Sequence, residues 1–242
     1  MIIKEKAVKE KFVSFNKVEK SFKTAIGSID VLKELSFDID EGEFVVIAGP
    51  SGAGKTTLLN LLGGMDSASG GEIFVDEKKV TGFGEKELTE YRRKDVGFVF
   101  QFYNLMPNLT ALENVELAVE ICKDPFPPKE ILAGVGLEVR EKSFPAQLSG
   151  GEQQRVSIAR AVAKNPKIIL CDEPTGALDY ETGKKILKLL HDICREKKKT
   201  VVVVTHNSAL RDMADKVIII KNGQAESITK NKTPKAIEDI EW

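Results

Sequence analysis

A compact apolar run, Phe44-Val45-Val46-Ile47-Ala48, is followed without a break by Gly49-Pro50-Ser51-Gly52-Ala53-Gly54-Lys55-Thr56, and no other junction constrains the chain as strongly. The run has the content of a strand buried on both faces. The residues after it satisfy the spacing G-x-x-x-x-G-K-[ST], in which backbone N–H groups wrap phosphates, the lysine reaches the outer phosphates and the hydroxyl meets magnesium. Glycine suits positions 49, 52 and 54 because the backbone there must approach an anion closely, at angles that a Cβ hinders. Thr56-Thr57-Leu58-Leu59-Asn60-Leu61-Leu62 reads as a buried helix stopped by Gly63-Gly64, and its positive N-terminal end adds to the site. A chance match to this spacing in a chain of this length is on the order of one in a hundred. The strand before it and the helix after it lower that further, so the junction is read as a phosphate-binding loop.

Two later segments belong with it. Lys167-Ile168-Ile169-Leu170-Cys171-Asp172-Glu173 is an apolar strand that delivers two carboxylates at its carboxyl end, where α/β sheets bind ligands. Asp172 is placed to orient magnesium or its water, and Glu173 to position and activate an attacking water. Two adjacent acids alone are an ordinary helix-start or surface pair; behind a phosphate loop they become a candidate for catalysis. Leu148-Ser149-Gly150-Gly151-Glu152-Gln153-Gln154-Arg155 precedes a helix-forming run through Ala163, so it offers a hydroxyl and several N–H groups at a second helix N-terminus. One nucleotide has one γ-phosphate, and the first loop already cradles it. A second phosphate-binding helix end therefore implies a nucleotide shared between two copies of the domain.

The rest of the chain supplies the frame. Residues Phe12, Val13 and Phe15, then Val31, Leu35, Phe37 and Ile39, read as short strands near the N-terminus. Val96 to Phe100, Ile168 to Cys171, Val201 to Val204 and Val217 to Ile220 read as strands separated by helix-like stretches, which is the order of a largely parallel α/β core. Asn222-Gly223 has the chemistry of a hairpin turn. From Thr110 through Ala133 the apolar residues recur at helical spacing, interrupted by Pro125, Pro127 and Pro128, and a helical subdomain at roughly residues 102–164 is read as inserted into the core. Residues 1–230 are expected to form one domain, with 231–242 as a polar, weakly held tail.

Composition excludes more than it assigns. Lysine plus arginine (36) nearly equals aspartate plus glutamate (37), so no overall pull toward nucleic acid or an anionic membrane is expected. Cys122, Cys171 and Cys194 are odd in number and widely spaced, which speaks against a disulfide framework and for a reducing compartment. No apolar run nears the roughly 20 residues that span a bilayer. The first residues carry no apolar core of a secretory signal.

Taken in order, Gly49 to Thr57, Leu148 to Arg155 and Ile168 to Asp179 resemble the nucleotide-binding domain of ABC ATPases, and the likeness covers nearly the whole chain. The resemblance implies a P-loop NTPase core of ABC type with an N-terminal antiparallel β subdomain and an inserted α-helical subdomain. It implies ATP and Mg2+ as ligands: Gly49, Pro50, Ser51, Gly52, Ala53, Gly54, Lys55, Thr56 and Thr57 on the nucleotide, with Phe22 stacked on adenine. Thr56, Gln101 and Asp172 serve the metal. Glu173, His206, Gln101 and Lys55 carry catalysis, Gln101 as the Q-loop glutamine and His206 as the switch histidine. Ser149, Gly150, Gly151 and the D-loop Asp179 complete the site of the opposite subunit in an ATP-bound homodimer. Read alone, His206 is an ordinary loop-edge histidine and Gln101 unremarkable; their places after buried strands within the matching pattern give them these roles. His191 is given none.

A narrower likeness, to the MacB and LolD branch, rests on Phe98 to Pro107, Leu109 to Val115 and Asp172 to Asp179. It implies an integral membrane permease as partner, a position on the cytoplasmic face of the membrane, and export or mechanical work on peptides, macrolides or lipoproteins. Phe102, Tyr103, Leu105 and Met106 are the candidates to grip the partner. A regulator of cell-wall hydrolases through a non-transporting membrane protein is the alternative. A DNA-repair ATPase of the same family is disfavoured, because no heptad-patterned insertion separates the two halves of the site.

Overall fold

The computed structural model describes residues 11–25 and 27–240. Two sheets carry the fold. The N-terminal part pairs β1 (Val13–Thr24) with β2 (Gly27–Ile39); β3 (Phe44–Ala48) then leads into α1 (Lys55–Leu62), and β4 (Gly70–Val75) and β5 (Lys78–Lys79) come next. The middle part holds α2 (Glu85–Lys94), β6 (Val96–Val99), α3 (Ala111–Val119), α4 (Pro128–Gly134) and α5 (Gly150–Ala163). The last part runs through β7 (Ile168–Asp172), α6 (Tyr180–Lys197), β8 (Thr200–Val204), β9 (Lys216–Lys221) and β10 (Gln224–Lys230). The first sheet has strand order β2-β1-β4-β5 and is antiparallel; the second has order β10-β9-β3-β8-β7-β6 and is parallel except for its edge strand β10. This is the α/β architecture with an N-terminal antiparallel sheet and helices inserted between β6 and β7 that the sequence implies.

The central strands are buried on both faces, which is why they read as unbroken apolar runs. Phe44, Val46 and Ala48 of β3 join one core cluster, with Cys171 of β7, Val203 of β8 and Leu187 of α6. Val45 and Ile47 join the other, with Leu58 of α1, Val202 of β8 and Phe15 of β1. Side chains alternating across the pleat thus fill two cores from one strand. β9 carries a buried cation into this packing: Lys216, 2% exposed, meets Glu43 at 2.5 Å and the carbonyl of Asp38 at 2.8 Å.

Three local readings change. β1 and β2 are not short: they run on as a long hairpin whose distal residues, Ser21 to Thr24 and Gly27 to Asp30, are largely exposed, so no buried apolar alternation marks them. The prolines do not merely interrupt the helical stretch. Pro128 opens α4 at its first turn, where a missing N–H costs nothing, and Thr110 caps α3 through a reciprocal box with Glu113. The weakly held tail is corrected as well: Ile237 and Ile240 are buried in the main core, Asn231 bonds the carbonyls of Arg211 and Ala214, and the Tyr180 hydroxyl donates to Ile240 O at 3.0 Å. Two apolar residues in a polar stretch were enough to dock it. The Asn222-Gly223 turn joins β9 to β10 with both residues at positive φ.

Removing Glu43 strands the Lys216 ammonium inside the fold. Glu43→Ala is expected to cost about 3 kcal/mol, read as a lower urea midpoint with an unchanged m-value; a midpoint shift near zero would show the pair to be dispensable.

Candidate active site

The phosphate loop leaves β3 at the middle of the second sheet, between β8 and β9. Its glycines answer to the surrounding backbone as well as to a ligand. A Cβ at Gly49 would lie 2.0 Å from the carbonyl oxygen of Ile220 on β9, and Gly54, at φ 97°, caps α1 with Val31 O only 3.0 Å from where its Cβ would stand. The Lys55 ammonium donates to the carbonyls of Gly49 and Pro50, both at 2.9 Å, so its charge is held against the loop backbone.

Neighbouring strands bring the acids. Asp172 ends β7, 4% exposed, and its Oδ2 accepts the Thr56 hydroxyl at 2.8 Å. Burial pushes the Asp172 carboxyl up from its ordinary value and the adjoining Glu173 charge adds to this, while the Thr56 hydrogen bond and the Lys55 charge pull the other way. A cation shared with this oxygen pair would relieve that strain on the charged form. Thr56 Oγ1, the Asp172 carboxylate and the Gln101 side-chain oxygen are hard donors suited to Mg2+, which keeps several waters and phosphate oxygens rather than needing a protein cage. No group of three or more His, Cys, Asp or Glu able to hold a metal occurs among the described residues.

Glu173 sits one residue on, in the left-handed region at φ 51°, with its N–H bonded to Val204 O at 3.0 Å. Three donors surround its carboxylate: the Thr205 hydroxyl at 3.2 Å, the His206 backbone N–H at 3.0 Å and the His206 ring Nδ1 at 2.9 Å. Because a carboxylate accepts, the Nδ1 facing it is assigned a proton. Thr205 escapes sequence reading, since a buried threonine at a strand end has no pattern of its own; its adjacency to His206 is the only signal.

One cleft of about 840 Å3 gathers Ser51, Gly52, Lys55, Thr56, Gln101, Asp172, Glu173 and His206. The other predicted loop residues, Gly49, Pro50, Ala53, Gly54 and Thr57, form the turn and the start of α1 behind it. Phe22 lies outside, half exposed on β1, with the Lys20 ammonium 4.7 Å over one face of its ring. Ser149, Gly150, Gly151 and Asp179 do not line this cleft either. Ser149 caps α5: its Oγ accepts from Glu152 N at 3.2 Å and Glu152 returns a bond to Ser149 N at 2.8 Å. Asp179 caps α6 through Thr182 N at 3.0 Å, and that backbone bond holds its carboxyl below its ordinary value. The two glycines also have neighbours in the same chain. A Cβ on Gly150 would meet the Tyr103 hydroxyl at 3.0 Å, and one on Gly151 would meet Ala177 O at 3.2 Å.

The segment after Gln101 is only partly the exposed patch expected. Phe102 and Met106 are exposed, at 79% and 48%. Tyr103 and Leu105 are half-buried, and Leu105 packs on the main core, because Arg160 of α5 ties down the carbonyl of Tyr103 at 2.8 Å. The three cysteines are unpaired thiols, and burial pushes that of Cys194 up to about 12. No helix among the described residues is long and apolar enough to cross a membrane.

Comparison with known proteins accords with this geometry. Residues 32–176 match the ABC transporter family. The ABC transporter ATP-binding protein MG065 homolog of Mycoplasma pneumoniae is 42% identical over 96% of this chain; the chain spans about half the length of that relative, 51%. The lipoprotein-releasing system ATP-binding protein LolD of Idiomarina loihiensis is 41% identical, over 85% of this chain and 92% of LolD. A solved dimeric post-hydrolysis state of the ATP-binding cassette MJ0796, bound to ADP and Pi, superposes with a TM-score of 0.85 at 44% identity, covering 90% of this chain and 98% of that one. The chain belongs to the ABC transporter family, as an ATP-binding domain of its LolD/MacB-like branch.

Proposed function

We propose that the chain binds and hydrolyses ATP and that it does so in pairs, each cleft being completed by the signature segment of a second copy. The observation that carries this reading is the division of the site: Lys55, Thr56, Gln101, Asp172, Glu173 and His206 face one cleft, while the capped helix end at Ser149 to Gly151 and the Asp179 turn lie outside it, with Ser149, Gly150 and Asp179 exposed. A phosphate seated on the first set needs donors on its other side, and a second copy supplies them. The dimeric form of the MJ0796 cassette supports the same arrangement.

Within one cleft the roles follow from the contacts. The Lys55 ammonium and the loop N–H groups take the phosphate oxygens, exchanging bonds that now go to the loop's own carbonyls. Phe22 offers the ring face opposite Lys20 to the adenine. Mg2+ bound at Thr56, Asp172 and Gln101 would neutralise charge on the β- and γ-phosphates. Glu173, held by the Thr205 hydroxyl and by the backbone and ring N–H groups of His206, accepts the proton of the attacking water. Charge stabilisation by pre-placed groups, with little covalent chemistry from the protein, is the expected source of rate.

The finer reading is that the pair drives an integral membrane subunit of the LolD or MacB type from the cytoplasmic face, in export or mechanical transmission. LolD relatives and the exposed Phe102 and Met106 beside the cleft support it.

Glu173→Gln removes the proton acceptor and keeps the size. Nucleotide binding is expected to survive, turnover to fall by about a hundredfold or more, and an ATP-trapped dimer to appear in size-exclusion chromatography; wild-type turnover would sink the role given to Glu173. Lys55→Ala is expected to weaken ATP binding at least tenfold, roughly the loss of a charged hydrogen bond, and calorimetry giving wild-type affinity would refute that.

A further inference from the structure

Helix α5 grips the segment after Gln101 along its length. A Cβ on Gly150, at its first turn, would lie 3.0 Å from the Tyr103 hydroxyl, and Arg160, near its end, bonds the carbonyls of Tyr103 and Asn104. From the other side Asn114 of α3 accepts from Met106 N at 2.8 Å and donates to the carbonyls of Leu109 and Thr110. Residues 103–106 are therefore anchored, β6 and the stacked Phe98–Phe100 pair hold the other side, and Gln101 and Phe102 form the short exposed span between them that lines the cleft.

Gln154 lies on α5 between those two grips and lines the same cleft as Gln101 and Glu173. It is 1% exposed, and its Nε2 has no hydrogen-bond partner. Gln153, one residue earlier, shows what a satisfied glutamine looks like here: its Nε2 donates to Pro145 O and Leu148 O at 3.0 and 3.2 Å. A buried donor without a partner is a standing cost of about 1–3 kcal/mol, and a leucine of similar volume would avoid it. Among the described residues a few other buried side-chain atoms share this condition, on Arg93, Arg155, Ser157 and Arg211, and none of those residues lines the cleft.

We infer that Gln154 is a positioning residue for hydrolysis, whose Nε2 donates to the backbone of Gln101 or Phe102 when that short span shifts toward the bound phosphates. The amide lacks a partner in this arrangement because its partner arrives with the catalytic one. The inference rests on the hydrolytic reading above. It concerns a step after nucleotide binding, so it separates turnover from affinity.

The test uses the full chain with Mg2+ and ATP, comparing wild type, Gln154→Leu, which deletes the amide at similar volume, and Gln154→Glu, which keeps the shape and withdraws the donor. Expected for Gln154→Leu are a kcat about tenfold lower, on the scale of one lost hydrogen bond, a KM for ATP within twofold of wild type, and a nucleotide-free Tm equal to or above wild type. Gln154→Glu should lose turnover similarly, again without a rise in KM. Three results overturn the inference: wild-type kcat in Gln154→Leu, a raised KM that places the amide on the nucleotide itself, or a Tm that falls with kcat in both variants, as a purely structural role demands. A wild-type chain without turnover overturns the hydrolytic reading together with this one, whereas an active wild type beside an unaffected Gln154→Leu overturns this one alone.

Discussion

β7, β8 and β3 lie side by side and parallel, in register from Ile168 to Asp172 against Thr200 to Val204 and from Phe44 to Ile47 against Val201 to Val204. All their residues are buried. That close pairing places the phosphate loop, the Asp172-Glu173 pair and the Thr205-His206 pair at three adjacent carboxyl ends, a strand spacing of roughly 5 Å apart. The hydrogen bonds of the site, Thr56 to Asp172 and His206 to Glu173, are the consequence of that spacing rather than a separate achievement. Two cores, one on each face, hold the strands where they are.

Much of this was legible because the chemistry is local in sequence. The phosphate loop is one uninterrupted string, the acids end an apolar run, and His206 comes directly after another. A buried parallel strand announces itself by apolar content, and topology places the residues just beyond its carboxyl end. Less legible was whatever depends on partners far along the chain. The length of β1 and β2 was hidden because their outer halves bury nothing. The docking of residues 231–240 turns on Ile237 and Ile240 finding α6, a contact that a polar local context masks. Tyr103 and Leu105 read as members of an exposed cluster until the Arg160 bond to the backbone is seen. Gln154 gave no signal at all, since a glutamine on a helix is ordinary until its environment is known.

The signature glycines carry two constraints at once. Sequence reasoning gave Gly150 and Gly151 to a phosphate bound across a dimer, yet each also faces a group of its own chain, Tyr103 in one case and Ala177 in the other. A side chain at either position would press on the Gln101 segment or on the turn leading to Asp179 before any second copy arrived. The segment proposed to complete the site of a second copy thus lies against two parts of its own chain.

The anchoring of residues 103–106 by Arg160 and Asn114 has a mechanical meaning. On its other side the span that precedes them follows directly on β6 and on Phe100, whose ring stacks on Phe98 at 4.2 Å, so it is a short bridge between two fixed supports, not a tether. Gln101 and the outward-facing Phe102 are the two adjacent residues of that bridge, so a load applied to the aromatic ring and a shift of the glutamine are one displacement, with no play between them to absorb it.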